Sequence, residues 1–238
     1  MAATPSLRVE RSLLRRGARA VACVDEVGRG ALAGPVMVGV VVVDASTPSA
    51  PRGIRDSKDL TAAARTRLAP RVQTWAVAAE VGSADAAEID AMGILAALRL
   101  ATHRAIAAIS VPVDAVLLDG SHDWLGGPRH VCEAFAEAPP VIMRVKADRT
   151  CSGVAGASVV AKVRRDEFMV DLSAAVDDCY SWTANKGYSA PAHSAALIEH
   201  GPSRWHRRSW QLPGVPRSAS VQSDRVPQDM QMSLAAVE

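Results

Sequence analysis

Apolar residues along the chain fall into short runs and into longer stretches with helical spacing. Five short apolar runs predict strands, at residues 20–24, 36–43, 75–81, 115–118 and 141–145. The run at 36–43 is rich in β-branched residues, which favour extended structure. The first half of the chain therefore contains three predicted strands before its first long helix.

Two stretches, 94–109 and 157–175, place apolar residues at steps of three and four, the period of one helix face. Shorter helices are predicted after the turn at 56–59 and in the segment that begins at 186. Three leading strands with short links favour an antiparallel meander, and the later alternation of helix and strand favours parallel additions. The predicted fold is a mixed α/β sheet flanked by helices, with a C-terminal helical segment.

The predicted domain covers residues 20–212 and lies between two tails. Residues 1–19 carry five arginines and one acid, Glu10, and predict a disordered basic arm. Residues 213–238 contain Pro, Ser and Gln with little apolar material, which predicts a disordered tail.

Composition narrows the class of protein. The 238 residues are 49% apolar and 22% charged with a net charge of +2, a balance that permits a nucleic-acid partner without requiring one. No apolar run reaches the roughly 18 residues that a membrane span needs. The cysteines show no close pairing of the zinc or redox type and predict reduced thiols in the cytoplasm, at positions 23, 132, 151 and 179.

Carboxylates follow three of the predicted strands: Asp25 with Glu26, then Asp119, then Asp148. Strand ends that gather at one edge of an open α/β sheet form a ligand crevice. Four carboxylates in that crevice would repel one another unless cations neutralise them, and hard oxygen ligands suit Mg²⁺ or Mn²⁺. Because Asp is also a common turn residue, spacing alone leaves a structural explanation open.

The stretch "GRGALAG", with Gly28, Gly30 and Gly34, approximates a dinucleotide-binding fingerprint. Its spacing is one residue too long, and Pro35 with a valine-rich strand follows where that fingerprint needs a helix. The dinucleotide interpretation is therefore disfavoured. The interpretation of this segment as a turn whose backbone N–H groups approach a phosphate, with Arg29 beside it, stays open.

Basic residues cluster in the last third of the chain. Lys162 lies on the apolar face of the predicted helix, one turn after Ser158, and this unusual place suggests a site. Arg164 and Arg165 are interpreted as a solvated helix face. Two tryptophans beside basic residues, Trp205 and Trp210, are interpreted as core residues.

Seven motifs, in order, resemble bacterial ribonuclease HII, of the type 2 ribonuclease H family, over about residues 20–212. They are "VDEVGRG" at 24–30, "DSK" at 56–58, "LLDG" at 117–120, "VKAD" at 145–148, "GASVVAKVRRD" at 156–166, "KGY" at 186–188 with a histidine five residues on, and "HRRSW" at 206–210. The resemblance implies a ribonuclease-H-like fold. It also implies an endoribonuclease that hydrolyses the RNA strand of RNA–DNA hybrids and cuts 5′ to single ribonucleotides in duplex DNA.

By the same resemblance, Asp25, Glu26, Asp119 and Asp148 are the catalytic carboxylates and bind two Mg²⁺ or Mn²⁺ ions. The products would carry 3′-hydroxyl and 5′-phosphate ends. The expected substrate-binding residues are Gly28, Arg29, Gly30, Ser57, Lys58, Lys162 and Tyr188, with Tyr188 stacking on the sugar beside the ribonucleotide.

The expected partners are RNA–DNA hybrids and ribonucleotide-containing duplex DNA, bound by a monomer without a membrane. A contact with a replication clamp stays open. The alternatives are another metal-dependent nuclease of the same fold, of the junction resolvase type, a hybrid-binding module without activity, and a nicotinamide enzyme.

Overall fold

The computed structural model describes residues 4–126, 139–176 and 178–216. Five strands form one mixed sheet in the order β3-β2-β1-β4-β5. Their bounds are β1 Ala20–Val27, β2 Val36–Asp44, β3 Ala78–Ala84, β4 Ala115–Asp119 and β5 Val141–Arg144. β1, β2 and β3 pair antiparallel, whereas β4 is parallel to both β1 and β5. The predicted meander with parallel additions is confirmed.

The helices of the described residues lie on both faces of the sheet and in a C-terminal layer. They are α1 Arg8–Arg15, α2 Ala62–Trp75, α3 Ala86–Met92, α4 Ile94–Ala107, α5 Ala147–Thr150, α6 Ser152–Ala175, α7 Trp182–Asn185 and α8 Pro191–His200, with a 3₁₀ turn at Ser57–Asp59. The predicted third strand begins three residues late because α2 continues to Trp75, whose indole N–H donates to the Pro48 carbonyl at 2.9 Å.

Strand residues alternate between two apolar cores. Val21 and Cys23 of β1 face α1, α2 and α6, whereas Ala22 and Val24 face α4. At the carboxyl end of β1, Asp25 pairs in register with Gly39 of β2. A Cβ on Gly39 would collide with the backbone of α6, so the glycine lets α6 lie against the sheet beside Asp25.

The prediction of a disordered arm is wrong for residues 8–15, which form α1. Leu13 and Leu14 pack against the core, and the fully buried Glu10 accepts a hydrogen bond from the Gly153 N–H at 2.8 Å. Arg8, Arg11 and Arg15 lie on the exposed face of the helix. The reason is amphipathic spacing, which is not visible in a count of arginines.

A third apolar core joins α7, α8 and the segment after α8, centred on Trp182, Leu197 and Leu212. Trp205 and Trp210 pack against it half-buried, as their interpretation as core residues predicted. Of the predicted C-terminal tail, residues 217–238 lie outside the described residues, as does Cys132.

The described cysteines are free thiols, with Cys23 and Cys151 buried and Cys179 exposed. In the described part of the chain, every helix is too short or too polar to span a membrane.

Candidate active site

Three strand ends bring the predicted carboxylates to one edge of the sheet. Asp25 and Glu26 lie near the end of β1, and Asp119 ends the parallel neighbour β4. The Asp119 carboxylate accepts a 2.6 Å hydrogen bond from the N–H of Ala147, the first residue of α5. Since Asp148 is the next residue of α5, this bond ties the third strand end to the second.

Burial and mutual repulsion disfavour negative charge in this group. Burial and then the charge of Glu26 raise the pKa of Asp25 well above its usual value, and the Ser158 hydroxyl acts in the opposite direction. Burial raises the pKa of Glu26, which Arg29 partly offsets. Burial and the charge of Asp119 raise the pKa of Asp148 to about 6. The pKa values of Asp25, Glu26 and Asp148 are therefore raised although Arg29 lies 3.5 Å from the Glu26 carboxylate, so the neighbouring cations only partly compensate this anionic group.

The donor chemistry of this group fits a hard divalent cation, because every donor is a carboxylate oxygen. The buried Oδ1 of Asp148 has no hydrogen-bond partner among the described residues, as expected of an atom that faces a cation. Within residues 4–126, 139–176 and 178–216, no three His, Cys, Asp or Glu side chains are already arranged around one ion position.

A cleft of about 420 Å³ lies beside these acids. It contains every predicted substrate-binding residue, and its lining consists of Asp25, Glu26, Val27, Gly28, Arg29, Gly30, Ser57, Lys58, Ser158, Lys162 and Tyr188. Asp119 and Asp148 do not line the cleft. Lys58 links the two regions, because its Nζ lies 3.9 Å from Oδ2 of Asp148.

The glycine turn contacts Tyr188 directly. The Gly28 N–H donates to the Tyr188 hydroxyl at 3.1 Å, across 160 residues of sequence. On the ring of Tyr188, the Lys162 ammonium lies 5.6 Å and the Arg165 guanidinium 5.1 Å from the centroid. Tyr188 is thus held by the turn and by two cations of α6.

Ser158 is a site residue that the sequence analysis did not select. Its hydroxyl donates to Oγ of Ser57 at 2.9 Å and accepts from the Ser57 N–H at 3.3 Å, so α6 holds the 3₁₀ turn that carries Lys58. It also lies beside Asp25. Its place one turn before Lys162 was the available signal.

Two fully buried arginines hold the loop between β1 and β2 through five of its backbone carbonyls, and one of them also binds the carbonyl of Lys186. Arg165 donates to Ala33, Pro35 and Lys186, and Arg207 donates to Gly28, Arg29 and Gly34. The interpretation of Arg165 as solvated is wrong. Its position between the buried Ala161 and Met169, four residues to either side, places it on the inner face of α6.

A buried histidine pair supports the backbone of Tyr188. His193 and His206 face each other with Nε2 atoms 2.9 Å apart, and Nδ1 of His193 lies 2.9 Å from the Tyr188 carbonyl. A carbonyl only accepts, so Nδ1 of His193 carries the proton and its Nε2 accepts from Nε2–H of His206. Nδ1 of His206 then accepts from the Ser203 N–H at 3.0 Å. Both rings are neutral in this arrangement.

Acid should weaken this pair. Burial and then His193 lower the pKa of His206 to about 4, whereas the unfolded value is 6.5, so the unfolded chain binds the proton first as pH falls. The stability that the neutral His206 contributes to the fold is therefore fully present above pH 6.5 and is lost as the pH falls toward 4. Between pH 7 and 5 we expect the wild type to lose about 2 kcal/mol of unfolding free energy more than His206→Gln.

Urea unfolding at several pH values measures this difference. His200→Gln, on an exposed histidine, is the control and should keep the wild-type pH dependence. The charge of Asp178 acts on His193 and the charge of Arg208 acts on His206. Equal pH dependence in His206→Gln and the wild type would contradict the assigned proton positions.

Comparisons with known proteins agree with this geometry. The family model for Ribonuclease HII matches residues 22–212. A curated Ribonuclease HII of Streptomyces griseus subsp. griseus is 48% identical over 217 residues, which cover 90% of this chain and 87% of the relative.

Two solved structures share the fold. The RNase HII of Archaeoglobus fulgidus, solved as a PCNA:RNase HII complex, aligns with a TM-score of 0.59 and 25% identity over 79% of this chain and 91% of that one. Bst-RNase HIII, solved in complex with Mn²⁺, aligns with a TM-score of 0.59 and 22% identity over 76% of this chain and 63% of that one. The chain therefore belongs to the ribonuclease HII family, nucleases that hydrolyse the RNA of RNA–DNA hybrids.

Proposed function

We propose that this protein cuts duplex DNA on the 5′ side of single embedded ribonucleotides as well as the RNA strand of long hybrids. Hydrolysis leaves 3′-hydroxyl and 5′-phosphate ends. The observation that carries the proposal is the convergence of the three acidic strand ends beside the cleft that contains the 28–30 turn and Tyr188.

Asp25, Glu26, Asp119 and Asp148 are proposed to hold two divalent ions, Mg²⁺ or Mn²⁺. When bound, such ions lower the pKa of a water and stabilise the departing 3′-oxygen. The partnerless Oδ1 of Asp148 supports this role, as does the Mn²⁺ complex of Bst-RNase HIII. Ser158, next to Asp25, and the Ala147 N–H, on Asp119, limit where those two carboxylates can turn.

The 28–30 turn is proposed to recognise the ribose. Arg29 and Gly30 are exposed residues whose N–H groups form no hydrogen bond with other described residues, whereas the N–H of Gly28 donates to Tyr188. They are available to a sugar or phosphate oxygen, and the 2′-hydroxyl is the group that distinguishes RNA from DNA. Arg207 fixes the turn by binding the carbonyls of Gly28 and Arg29.

Tyr188→Ala should affect single-ribonucleotide substrates most. Stacking on an aromatic ring is worth about 1–3 kcal/mol, so kcat/KM on a duplex with one ribonucleotide should fall about tenfold or more beyond its fall on a long hybrid. Steady-state kinetics on both substrates measure the ratio. Tyr188→Phe keeps the ring and loses only the acceptor for the Gly28 N–H. The kcat/KM of Tyr188→Phe on the duplex with one ribonucleotide should therefore lie between those of the wild type and Tyr188→Ala. Equal losses on both substrates would remove this role from Tyr188.

The decisive assay is cleavage of a DNA duplex that contains one ribonucleotide, with and without EDTA. We expect a single metal-dependent cut on the 5′ side of the ribonucleotide and ligatable 5′-phosphate ends. The all-DNA duplex should stay intact. Cleavage of a four-way DNA junction instead would indicate a resolvase, and binding without any cleavage would indicate a hybrid-binding module.

A contact with a sliding clamp is also proposed, with the protein acting as a monomer. The support is the complex of the Archaeoglobus fulgidus relative with PCNA. Gel filtration of the full chain with a bacterial sliding clamp tests it, and truncation after residue 216 shows whether the C-terminal tail carries the contact.

A further inference from the structure

The loop at residues 51–58 carries a series of cations that leads away from the cleft. Arg52, Arg55 and Lys58 are exposed at steps of three residues. Between them, Ile54 enters the core with 3% of its surface exposed, and Ser57 binds Ser158 of α6. The buried positions fix the loop against the protein, so the three cations face solvent together.

Other contacts hold this loop, and of its three exposed cations Lys58 pairs with Asp148 at 3.9 Å. Arg65 donates to the carbonyls of Ser57 at 3.0 Å and Leu60 at 2.8 Å. The buried Asp56 lies 3.7 Å from the Arg149 guanidinium and accepts from the Lys58 N–H. Among the described residues, Arg52 and Arg55 form neither an ion pair nor a side-chain hydrogen bond.

The far end of the loop borders a second cleft, of about 330 Å³, against the N-terminal segment. Arg11 of α1 and Arg52 line it together with hydroxyl side chains of Thr4, Ser6 and Ser49, and no acidic residue of the described chain is in its lining. The neighbouring acid, Glu10, points into the core and binds the Gly153 N–H. Neither guanidinium group pairs with a carboxylate of the described residues, so the cleft attracts anions.

We infer that this second cleft binds a backbone phosphate of the same duplex that occupies the active-site cleft. The inference rests on the proposed function. Lys58 lines the first cleft and Arg52 the second, and six residues of chain span at most about 20 Å. At 3.4 Å of helix axis per base pair, the second contact lies within about six base pairs of the point where the duplex passes Lys58.

The exposed face of α1 extends this basic surface. Arg8 and Arg15 lie on the same exposed face as Arg11, at helical steps of three and four. The packing of Leu13 and Leu14 holds that face in place beside the second cleft. The arginine-rich start of the chain is thereby assigned to duplex binding on one side of the cut.

Arg11→Gln and Arg52→Gln test the inference on the full-length protein. Affinity for a duplex with one ribonucleotide is measured in EDTA at several salt concentrations, and turnover is measured at saturating substrate with metal. Each variant should weaken binding about threefold to tenfold at 0.1 M salt and reduce the salt slope by about 0.9, the value for one lost phosphate contact. Turnover at saturation should stay within twofold of the wild type.

Arg104→Gln is the matched control, because Arg104 belongs to α4 on the opposite face of the sheet and its loss changes net charge equally.

The length of the substrate duplex gives a second measurement. Shortening the duplex to three base pairs on one side of the ribonucleotide should weaken wild-type binding, and Arg52→Gln should be insensitive to that shortening.

The outcomes separate this inference from the proposed function. Salt slopes of Arg11→Gln and Arg52→Gln equal to that of Arg104→Gln would overturn the second phosphate contact even if the ribonucleotide is cut. Reduced slopes in a protein that does not cut at the ribonucleotide would sustain the contact and refute the proposed function. Thermal unfolding at the wild-type temperature confirms that the variants are folded.

Discussion

Asp119→Asn should lower turnover by about a thousandfold or more, and leave duplex affinity within about threefold. The amide oxygen of Asn can still accept from the Ala147 N–H, so the link between β4 and α5 survives and only the charge is lost. A bound divalent ion supplies several kcal/mol of transition-state stabilisation, and about 4 kcal/mol corresponds to a factor of about 10³. Single-turnover cleavage and binding in EDTA measure the two effects.

Asp114→Asn is the control for this change. Asp114 immediately precedes β4, at the end of the strand opposite Asp119, and binds the Arg19 guanidinium at 2.8 Å. Asp114→Asn should leave turnover unchanged, and the loss of this exposed ion pair should affect stability little. Full turnover by Asp119→Asn would remove Asp119 from the reaction and with it the proposed shared metal site.

Gly28→Ala should lower both stability and activity, because Gly28 has φ +82° and a Cβ there would collide with the Arg165 side chain. Arg165 cannot withdraw without breaking its bonds to three carbonyls. The left-handed conformation costs about 1–2 kcal/mol for a residue with a Cβ, and overpacking adds about 1–3 kcal/mol. We expect a loss of about 3 kcal/mol in urea unfolding. Displacement of the turn should lower kcat/KM about a hundredfold.

Two other glycines separate these contributions. Gly201 has φ +70° with nothing within 4 Å of its Cβ position, so Gly201→Ala should cost only the conformational part, about 1 kcal/mol. Gly30 lies in the same turn as Gly28 without positive φ or a near neighbour, so Gly30→Ala should change stability by less than about 0.5 kcal/mol. Equal stability of all three variants would contradict the close packing of Arg165 against the turn.

Local patterns in the sequence predicted most of the fold. Apolar runs of β-branched residues located β1 and β2, and the three- and four-residue steps located α4 and α6. The order of the motifs also identified Asp25 near the end of β1, Asp119 at the end of β4 and Asp148 in α5. The structure brings these three residues to one edge of the sheet. These features depend on neighbours within a few turns of chain, which periodicity can reveal.

The sequence itself therefore determined the strands, the main helices, the acids at their ends and the family. The tertiary structure alone decided that α1 packs on the core, that Ser158 holds the turn of Lys58, and that Arg165 and Arg207 hold the loop that follows β1. The physical reason is the partner: these arginines bind backbone carbonyls up to 179 residues away. Since every residue has a carbonyl, no residue type marks the acceptor, and only the folded chain shows which ones lie within reach.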